Sequence, residues 1–204
     1  MRSSKWRVCI NIISLLVFIG ILLGALYNLG FNSIDFSLNS FMSTIENSLL
    51  TNLSIAVSFI FDINSIIIIS LILSAYLWVK FSKKDSIFFI LTIMLGGGVA
   101  YILKDIIQRA RPLNSLVTET SFAFPSGHAT IAVVFFGLLI YLIFKKSKSK
   151  NLKLSALLIS VFLVLLICFA RLYLNVHWFS DVLGGIAIGL FILTGSILIV
   201  ERLK

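Results

Sequence analysis

Long apolar stretches separated by short polar segments dominate the chain. Six of these stretches approach or exceed the roughly 18–20 residues that an α-helix needs to cross a bilayer. The pattern therefore predicts an all-α polytopic membrane protein with six transmembrane helices, the second of which is the shortest. The predicted spans are Val8–Leu29, Ile63–Val79, Ser86–Ile107, Pro125–Phe144, Leu154–Leu174 and Asp181–Val200.

The connection between the first and second spans has a mixed pattern. Ile34–Phe61 interleaves apolar residues with Ser and Asn, and it carries Asp35 and Glu46. Such a pattern is typical of amphipathic helices in the membrane interface, and we expect interfacial helices here. The first span is too long for the apolar region of a secretory signal and has no clear cleavage site, so we predict that it is retained. We expect residues 1–204 to form a single integral-membrane domain.

Composition supports this interpretation. Hydrophobic residues make up 59% of the 204 residues and charged residues 12%, which excludes an ordinary soluble protein. Cys9 and Cys168 fall in or beside spans near opposite membrane faces. We therefore interpret both as small core residues and not as a disulfide or a metal site.

Positive charge is distributed asymmetrically across the predicted membrane. The formal net charge of +9 suits nucleic-acid binding, but thirteen of the seventeen Lys and Arg residues fall on one side of the six spans. This is the positive-inside pattern, which predicts a multi-pass protein of the cytoplasmic membrane with both termini in the cytoplasm and no nucleic-acid partner. The thirteen are Arg2, Lys5, Arg7, Lys80, Lys83, Lys84, Lys145, Lys146, Lys148, Lys150, Lys153, Arg202 and Lys204.

The other four cations lie near the opposite, outer face, against the topological bias. Both histidines of the chain, His128 and His177, and the carboxylate of Asp181 fall at the same level. Ionisable groups clustered at the ends of membrane helices mark a functional site by default. The four cations are Lys104, Arg109, Arg111 and Arg171.

The segment LKDIIQRARP ends the third span. Lys104 and Arg111 are seven residues apart, so two helical turns are expected to place them on nearly the same face, while Pro112 disfavours helix at Arg111. An Arg fork and a Lys point charge together suit the oxygens of a multiply charged anion. The alternative is that long cations snorkel to the headgroup layer, which we prefer for Arg109.

The segment SFAFPSGHAT precedes most of the fourth span. Pro125 suits the first turn of a helix, so the amides of Ser126, Gly127 and His128 are expected to be the unsatisfied donors of an N-terminus that attracts anions. Gly127 allows a ligand to approach the backbone closely, and the Ser126 hydroxyl adds a donor. Taken alone, the motif is equally compatible with a simple helix cap.

The segment ARLYLNVHWFSDVLGG joins the last two spans. Asp181 follows His177 by four residues, which is one helical turn on the same face. A carboxylate that holds one imidazole nitrogen leaves the other free to attack or to accept a proton. A histidine on an apolar face is usually a core residue, but two histidines at one membrane level with three cations nearby favour a site.

The three segments together resemble the tripartite signature of the type-2 phosphatidic acid phosphatase superfamily. That superfamily includes membrane lipid phosphatases and soluble vanadium haloperoxidases. Ala170 departs from the pattern, because the family commonly has a serine before the arginine of the third motif; the change removes one hydroxyl donor but no charged or nucleophilic group. The matching motifs are Lys104-x6-Arg111-Pro112, Pro125-Ser126-Gly127-His128 and Arg171-x5-His177-x3-Asp181.

The resemblance implies a role for each matching residue. His177 would be the nucleophile that forms a phosphohistidine, Asp181 would orient it, and His128 would be the general acid. Fixed cations and amides stabilise the charge that a transferring phosphoryl group spreads over its oxygens. Asp105 and Glu119 look too isolated to form a carboxylate-rich metal cage, so we expect no required metal ion and no cofactor. The implied phosphate-binding residues are Lys104, Arg111, Ser126, Gly127 and Arg171.

The predicted function is a metal-independent integral-membrane lipid phosphatase whose active site faces the outer side. Its substrates would be phosphomonoester or diphosphate headgroups in the lipid bilayer, of the undecaprenyl diphosphate, phosphatidylglycerophosphate or phosphatidate class. Two alternatives stay open: a non-catalytic phospholipid-binding or transport protein, and a vanadate-dependent oxidase on the same scaffold. The sequence selects neither one headgroup and chain nor an oligomeric state.

The charge asymmetry predicts that residues 145–153 face the cytoplasm. A cysteine introduced at Ser149, in a chain with Cys9 and Cys168 replaced, should resist a membrane-impermeant thiol reagent in intact cells. The same cysteine should react once the cells are permeabilised. Labelling in intact cells would overturn the predicted orientation.

Overall fold

The computed structural model describes residues 2–27 and 31–202, without the side chains of residues 2–4. Within these ranges the chain forms helices and connections, and it contains no strand. Eight helices follow one another along the described chain. They are α1 (Arg2–Leu26), α2 (Phe31–Thr44), α3 (Ser48–Ile60), α4 (Ile63–Lys80), α5 (Lys83–Ile107), α6 (Gly127–Lys146), α7 (Lys150–Tyr173) and α8 (Phe179–Arg202).

The six predicted spans are confirmed. Helices α1, α4, α5, α6, α7 and α8 are each long and apolar enough to cross a membrane. The shorter helices α2 and α3 occupy the connection in which the mixed pattern predicts interfacial helices. Asn28 and Leu29, at the predicted end of the first span, and the cation Lys204 lie outside the described residues.

Two helices form the centre of the bundle. Of an apolar 18-residue stretch in each spanning helix, 61% is buried inside the protein in α6 and 56% in α8, against 22–39% in the other spans. Helix α8 packs against α1 and α6, α6 also packs against α5 and α7, and α4 packs mainly on α5. Large apolar side chains of the outer helices, such as Leu16 in α1 and Ile72 in α4, are exposed. Outward-facing apolar side chains are expected where the surrounding solvent is lipid.

The alternating direction of the long helices brings four helix ends to one level. The C-termini of α5 and α7 meet the N-termini of α6 and α8 there, together with the connection 108–126 and the turn 174–178. All three sequence motifs lie on these helix ends or in these connections. We call this part of the bundle, residues 104–128 and 171–181, the motif end.

Polar side chains attach α2 and α3 to the motif end. The Tyr173 hydroxyl accepts from the Asn47 amide at 2.9 Å and lies 3.1 Å from the Asn47 carbonyl oxygen. The side-chain amide of Asn39 donates to Oδ1 of Asn175 at 2.8 Å. Asn175 is buried with φ of 52°, a left-handed conformation that asparagine tolerates better than most residues. Helices α2 and α3 therefore cover the C-terminal end of α7.

Glycine lets α8 approach α6 closely at the motif end. A Cβ atom at Gly185 would lie 2.6 Å from the carbonyl oxygen of Ser126, and one at Gly189 would lie 2.9 Å from the carbonyl oxygen of Thr130. Both neighbours are backbone atoms, so no side-chain rotation would relieve the overlap. The packing of the second motif on α8 therefore depends on these two glycines.

Gly185→Ala is expected to lower stability, because its methyl group would overlap the backbone of Ser126 and overpacking typically costs about 1–3 kcal/mol. Gly98→Ala in α5 is the matched control, since no described neighbour lies within 4 Å of a Cβ atom there. Alanine also favours a helix over glycine by about 1 kcal/mol. Thermal unfolding in detergent should give a lower midpoint for Gly185→Ala only, and equal midpoints would contradict the close packing.

Candidate active site

The first motif reaches the site from a helix end and from a loop. Gln108, with φ of 51°, ends α5 in a left-handed conformation, and its amide donates to the Lys104 carbonyl at 2.9 Å. Lys104 is in the last turn of α5, whereas Arg111 lies in the connection 108–126. The prediction that both share a helix face is wrong, because the chain leaves the helix before Arg111. The buried Lys104 ammonium donates to the carbonyl oxygen of Phe122.

The guanidinium of Arg111 ties the connection 108–126 to the turn before α8. Its Nε donates to the Ser121 carbonyl at 2.7 Å, and one terminal nitrogen donates to the Val176 carbonyl at 2.5 Å. The same terminal nitrogen lies 3.4 Å from Nε2 of His177. A lysine could not make this set of contacts, because it lacks the planar fork.

The second motif begins its helix two residues later than predicted. Helix α6 starts at Gly127 with Ser126 as its N-cap, so Pro125 lies outside the first turn. The Ser126 amide donates instead to the Asp181 carbonyl at 2.9 Å, which removes it from the unsatisfied donors. The amides of Gly127 and His128 remain in the first turn, where a helix offers no acceptor. The Ser126 hydroxyl is buried and has no hydrogen-bond partner among the described residues.

His128 faces the corner between α3 and α4. Its Nε2 atom lies 3.3 Å from the carbonyl oxygen of Ser58 and 3.7 Å from Oδ1 of Asp62. Asp62 is held in place because its carboxylate also caps α4, accepting from the Asn64 amide at 3.1 Å. The imidazole of His128 therefore has a backbone acceptor and a carboxylate on one side.

A carboxylate missed in the sequence joins two of the cations. Glu119, in the connection 108–126, pairs with Arg171 and lies 3.6 Å from a terminal nitrogen of Arg111. The sequence gives no sign of these contacts, because the path of this loop brings Glu119 to residues that no local pattern connects. Burial raises the pKa of Glu119, but the charges of Arg171 and Arg111 outweigh burial and hold that pKa below its ordinary value.

His177 and Asp181 meet across a turn and not along a helix face. Helix α8 begins at Phe179, so His177 precedes it and Asp181 lies in its first turn. Nδ1 of His177 is 3.5 Å from Oδ2 of Asp181, and the same oxygen accepts from the Trp178 amide at 2.8 Å. Contacts of this kind are often long in unliganded enzymes and shorten when substrate binds.

The surroundings of His177 favour a neutral imidazole. The side chain is buried, and the nearby charges of Lys104, Arg171 and Arg111 oppose a further positive charge. Burial first, and then these charges, hold the pKa of His177 well below its ordinary value. A neutral imidazole keeps the lone pair that a nucleophile or a base needs.

Arg109 does not snorkel to the headgroup layer, and that interpretation is wrong. Its side chain is only 15% exposed; one terminal nitrogen binds Oδ1 of Asp181 at 2.5 Å, and the other binds Oδ2 of Asp35 at 2.8 Å. Both carboxylates are buried. The two ion pairs hold the guanidinium inside the protein, because a buried carboxylate without a partner would be costly. Asp35 comes from α2, so no spacing in the sequence indicates this contact.

The composition of the site suits a phosphoryl group. Lys104, Arg111 and Arg171 supply positive charge around His177. Unpaired donors beside cations match the oxygens of a multiply charged anion. Two buried donors at the site, Oγ of Ser126 and Nε of Arg171, lack a hydrogen-bond partner within the described chain. Nδ1 of His177 also lacks a hydrogen bond there, but it faces Oδ2 of Asp181 at 3.5 Å.

Comparison with known proteins agrees with this geometry. The family model of the PAP2 superfamily matches residues 85–204, a range that includes all three motifs. The chain belongs to the PAP2 superfamily. This PAP2 protein is 39% identical over 94 residues to phosphatidylglycerophosphatase B of Bacillus subtilis (strain 168). That match covers 45% of the present chain and spans 46% of the Bacillus protein, which is less than half of its length.

Two solved structures share the fold of this PAP2 protein. The crystal structure of a transmembrane PAP2-type phosphatidylglycerolphosphate phosphatase from Bacillus subtilis matches with a TM-score of 0.78 and 24% identity, over 97% of each chain. Aquifex aeolicus LpxE matches with a TM-score of 0.63 and 23% identity, over 79% of this chain and 93% of LpxE. The fold is therefore that of a multi-pass PAP2 membrane protein.

Glu119→Gln should strengthen the binding of orthovanadate, a phosphate mimic, several-fold, because the anion no longer competes with a carboxylate for Arg111 and Arg171. Glu201→Gln is the matched control, since Glu201 pairs with Arg7 at the opposite end of α8. Calorimetric titration should show unchanged affinity for the control. Weaker binding by Glu119→Gln than by the control would mean that Glu119 positions the arginines and does not compete with the anion.

Proposed function

We propose that this PAP2 protein is an integral-membrane lipid phosphatase that acts through a phosphohistidine intermediate. The observation that carries the proposal is the environment of His177, a buried imidazole beside Asp181 and next to Arg111, where burial and the nearby cations oppose a positive charge on the ring. A protein that only binds or transports a phospholipid needs the cations but has no use for a neutral imidazole paired with a carboxylate. The pairing therefore favours a phosphatase over that alternative.

In the bound state, the cations of the motif end hold the phosphoryl oxygens. The Ser126 hydroxyl, which has no partner among the described residues, and the Gly127 amide in the first turn of α6 donate to the same group. The substrate displaces Glu119 from its two arginines and so exchanges one anion for another. The cations in this role are Lys104, Arg111 and Arg171.

The first transfer forms the phosphohistidine. Nε2 of His177 attacks phosphorus, a P–N bond forms, and the P–O bond to the lipid leaving group breaks. His128 donates a proton to the leaving oxygen, which departs as a neutral alcohol or as a protonated phosphate. The imidazole of His177 becomes cationic in this step, and the Asp181 carboxylate offsets that charge at Nδ1.

The second transfer returns the enzyme to its starting state. Water attacks the phosphorus of the phosphohistidine, and His128, now neutral, accepts a proton from that water. The P–N bond breaks, inorganic phosphate leaves, and His177 regains its lone pair. Residues of the chain stabilise every charge and carry out every proton transfer in this scheme, with water as the source of the proton that restores His128, so we propose that the reaction requires no metal ion.

The proposed substrates are phosphorylated lipids whose headgroups reach the motif end. The site lies at the ends of spanning helices, which is headgroup depth. The Lys and Arg asymmetry supports an outer-face site with cytoplasmic termini. The Bacillus relative is named a phosphatidylglycerophosphatase, which makes phosphatidylglycerophosphate the first substrate to test, before phosphatidate and undecaprenyl diphosphate.

The two histidines should differ in their dependence on the leaving group. His128→Ala should lower turnover of a lipid phosphomonoester by about 10²–10⁴-fold, because an alkoxide leaves badly without a proton. It should lower turnover of an aryl phosphate least, and that of a lipid diphosphate to an intermediate extent. His177→Ala removes the nucleophile and should abolish all three reactions, measured as phosphate release by purified protein.

Two measurements complete this test. Labelled phosphate trapped on the protein by an alkaline quench should require His177 and not His128. Phosphate release should continue in the presence of a chelator. Label that depends on His128 and survives in His177→Ala would reverse the two roles, and absence of phosphate release from every lipid phosphate would refute the proposed function.

A further inference from the structure

We propose that Arg109 is a positioning residue that holds the Asp181 carboxylate ionised and directed at Nδ1 of His177, with Asp35 as the counter-charge that keeps Arg109 in place. We call Asp35, Arg109 and Asp181 the buried triad. The inference rests on the proposed role of His177. It extends the functional unit to Arg109 and Asp35, which none of the three motifs specifies.

The contacts of the buried triad are short and enclosed. Besides its bonds to Asp35 and Asp181, the Arg109 guanidinium donates to Oγ of Ser180 at 2.7 Å. Asp35 accepts from the Ser180 amide at 2.8 Å and from the Ser180 hydroxyl at 2.6 Å. The side chains of Asp35 and Asp181 are 1% and 0% exposed. Hydrogen bonds to charged groups in such surroundings are stronger than neutral ones.

The two oxygens of Asp181 have different partners, and this difference sets the direction of the carboxylate. Oδ1 binds Arg109 at 2.5 Å, whereas Oδ2 accepts from the Trp178 amide at 2.8 Å and faces His177. Rotation of the carboxylate would break both bonds. Arg109 therefore keeps Oδ2 next to Nδ1 of His177, which favours the tautomer with its lone pair on Nε2.

The charges of the buried triad match the reaction. Two carboxylates and one guanidinium carry a net charge of about −1, which balances the positive charge that develops on His177 during the first transfer. The other charged groups that act on Asp181 are Lys104 and Arg111, both cations. Without Arg109, two carboxylates would share one buried region, and such pairs retain a proton. A protonated Asp181 could not offset an imidazolium.

The competing explanation is that Arg109 only ties α2 to α8. Asn39→Ala separates the two explanations, because the Asn39 side chain attaches α2 to the turn 174–178 through Asn175, and its described hydrogen bond goes there and not to the side chains of the buried triad. This variant should lower the melting midpoint while kcat stays within about two-fold of wild type. Arg109→Gln should lower kcat by about 100-fold, in the range that supporting partners of an active site contribute, with KM changed much less.

A charge-matched double variant makes the test independent of folding. Asp35→Asn with Arg109→Gln removes one carboxylate together with the cation, so the net charge of the buried triad stays about −1 and no proton need be shared. The double variant should recover at least about ten-fold of the kcat lost in Arg109→Gln. Arg109→Lys should fall between wild type and Arg109→Gln, because it keeps the charge but not the fork.

Nitrogen NMR provides a readout that needs no activity. The chain has two histidines, so ¹⁵N-histidine labelling with His128→Ala as reference assigns the His177 ring. Wild type and Asn39→Ala should show His177 protonated at Nδ1. Arg109→Gln should show a mixture of tautomers, as should Asp181→Asn, and the double variant should return towards wild type.

The inference is overturned if Arg109→Gln keeps the wild-type tautomer and kcat, or if the double variant is no better than Arg109→Gln. It is also overturned if Asn39→Ala loses as much kcat as Arg109→Gln. The proposed function fails separately: wild-type protein would then release no phosphate from lipid phosphates, while the tautomer of His177 would still respond to Arg109.

Discussion

The Asp181 residue holds the motif end together, because its backbone and its side chain bind different parts of the chain. Its carbonyl accepts from the Ser126 amide, and its carboxylate accepts from the Trp178 amide and from Arg109. The segments after α5, before α6 and before α8 therefore meet at one residue. A carboxylate buried at the edge of a bilayer is costly without such donors. Because donors from all three motif segments bind Asp181, this residue fixes the positions of the three motifs relative to one another and to His177.

Positive charge around His177 is distributed so that part of it remains available to an anion. Arg171 and Arg111 share the carboxylate of Glu119. Lys104 binds the carbonyl oxygen of Phe122 and has no carboxylate within ion-pair distance in the described chain. Carbonyl oxygens satisfy the hydrogen bonds of an ammonium without cancelling its charge. The cations therefore have partners within the described chain while the positive charge of Lys104 is not cancelled by a carboxylate, which is consistent with the proposed binding of a phosphoryl group.

Helices α2 and α3 contribute more to the motif end than a connection between two spans. Asp35 from α2 reaches both Arg109 and the first turn of α8, and Asn39 reaches the turn before His177 through Asn175. The amide of Asn47, at the start of α3, binds the Tyr173 hydroxyl. The polar residues Asp35, Asn39 and Asn47 contribute to the mixed pattern of this connection in the sequence. In the structure they contact other protein residues at the motif end, because a buried polar group requires a hydrogen-bond partner.

The sequence by itself determined the six spans and the level of the site, because a bilayer demands long apolar runs and the motifs lie at the ends of those runs. The prediction that His128, His177 and Lys104 are site residues also came from local motifs. The contacts of Arg109 with two buried carboxylates, the contact of Glu119 with two arginines and the start of α6 at Gly127 were decided only by the tertiary structure. The reason is physical. Apolar periodicity is a local property of the chain, whereas the partner of a buried charge is whichever opposite charge the packing brings within reach.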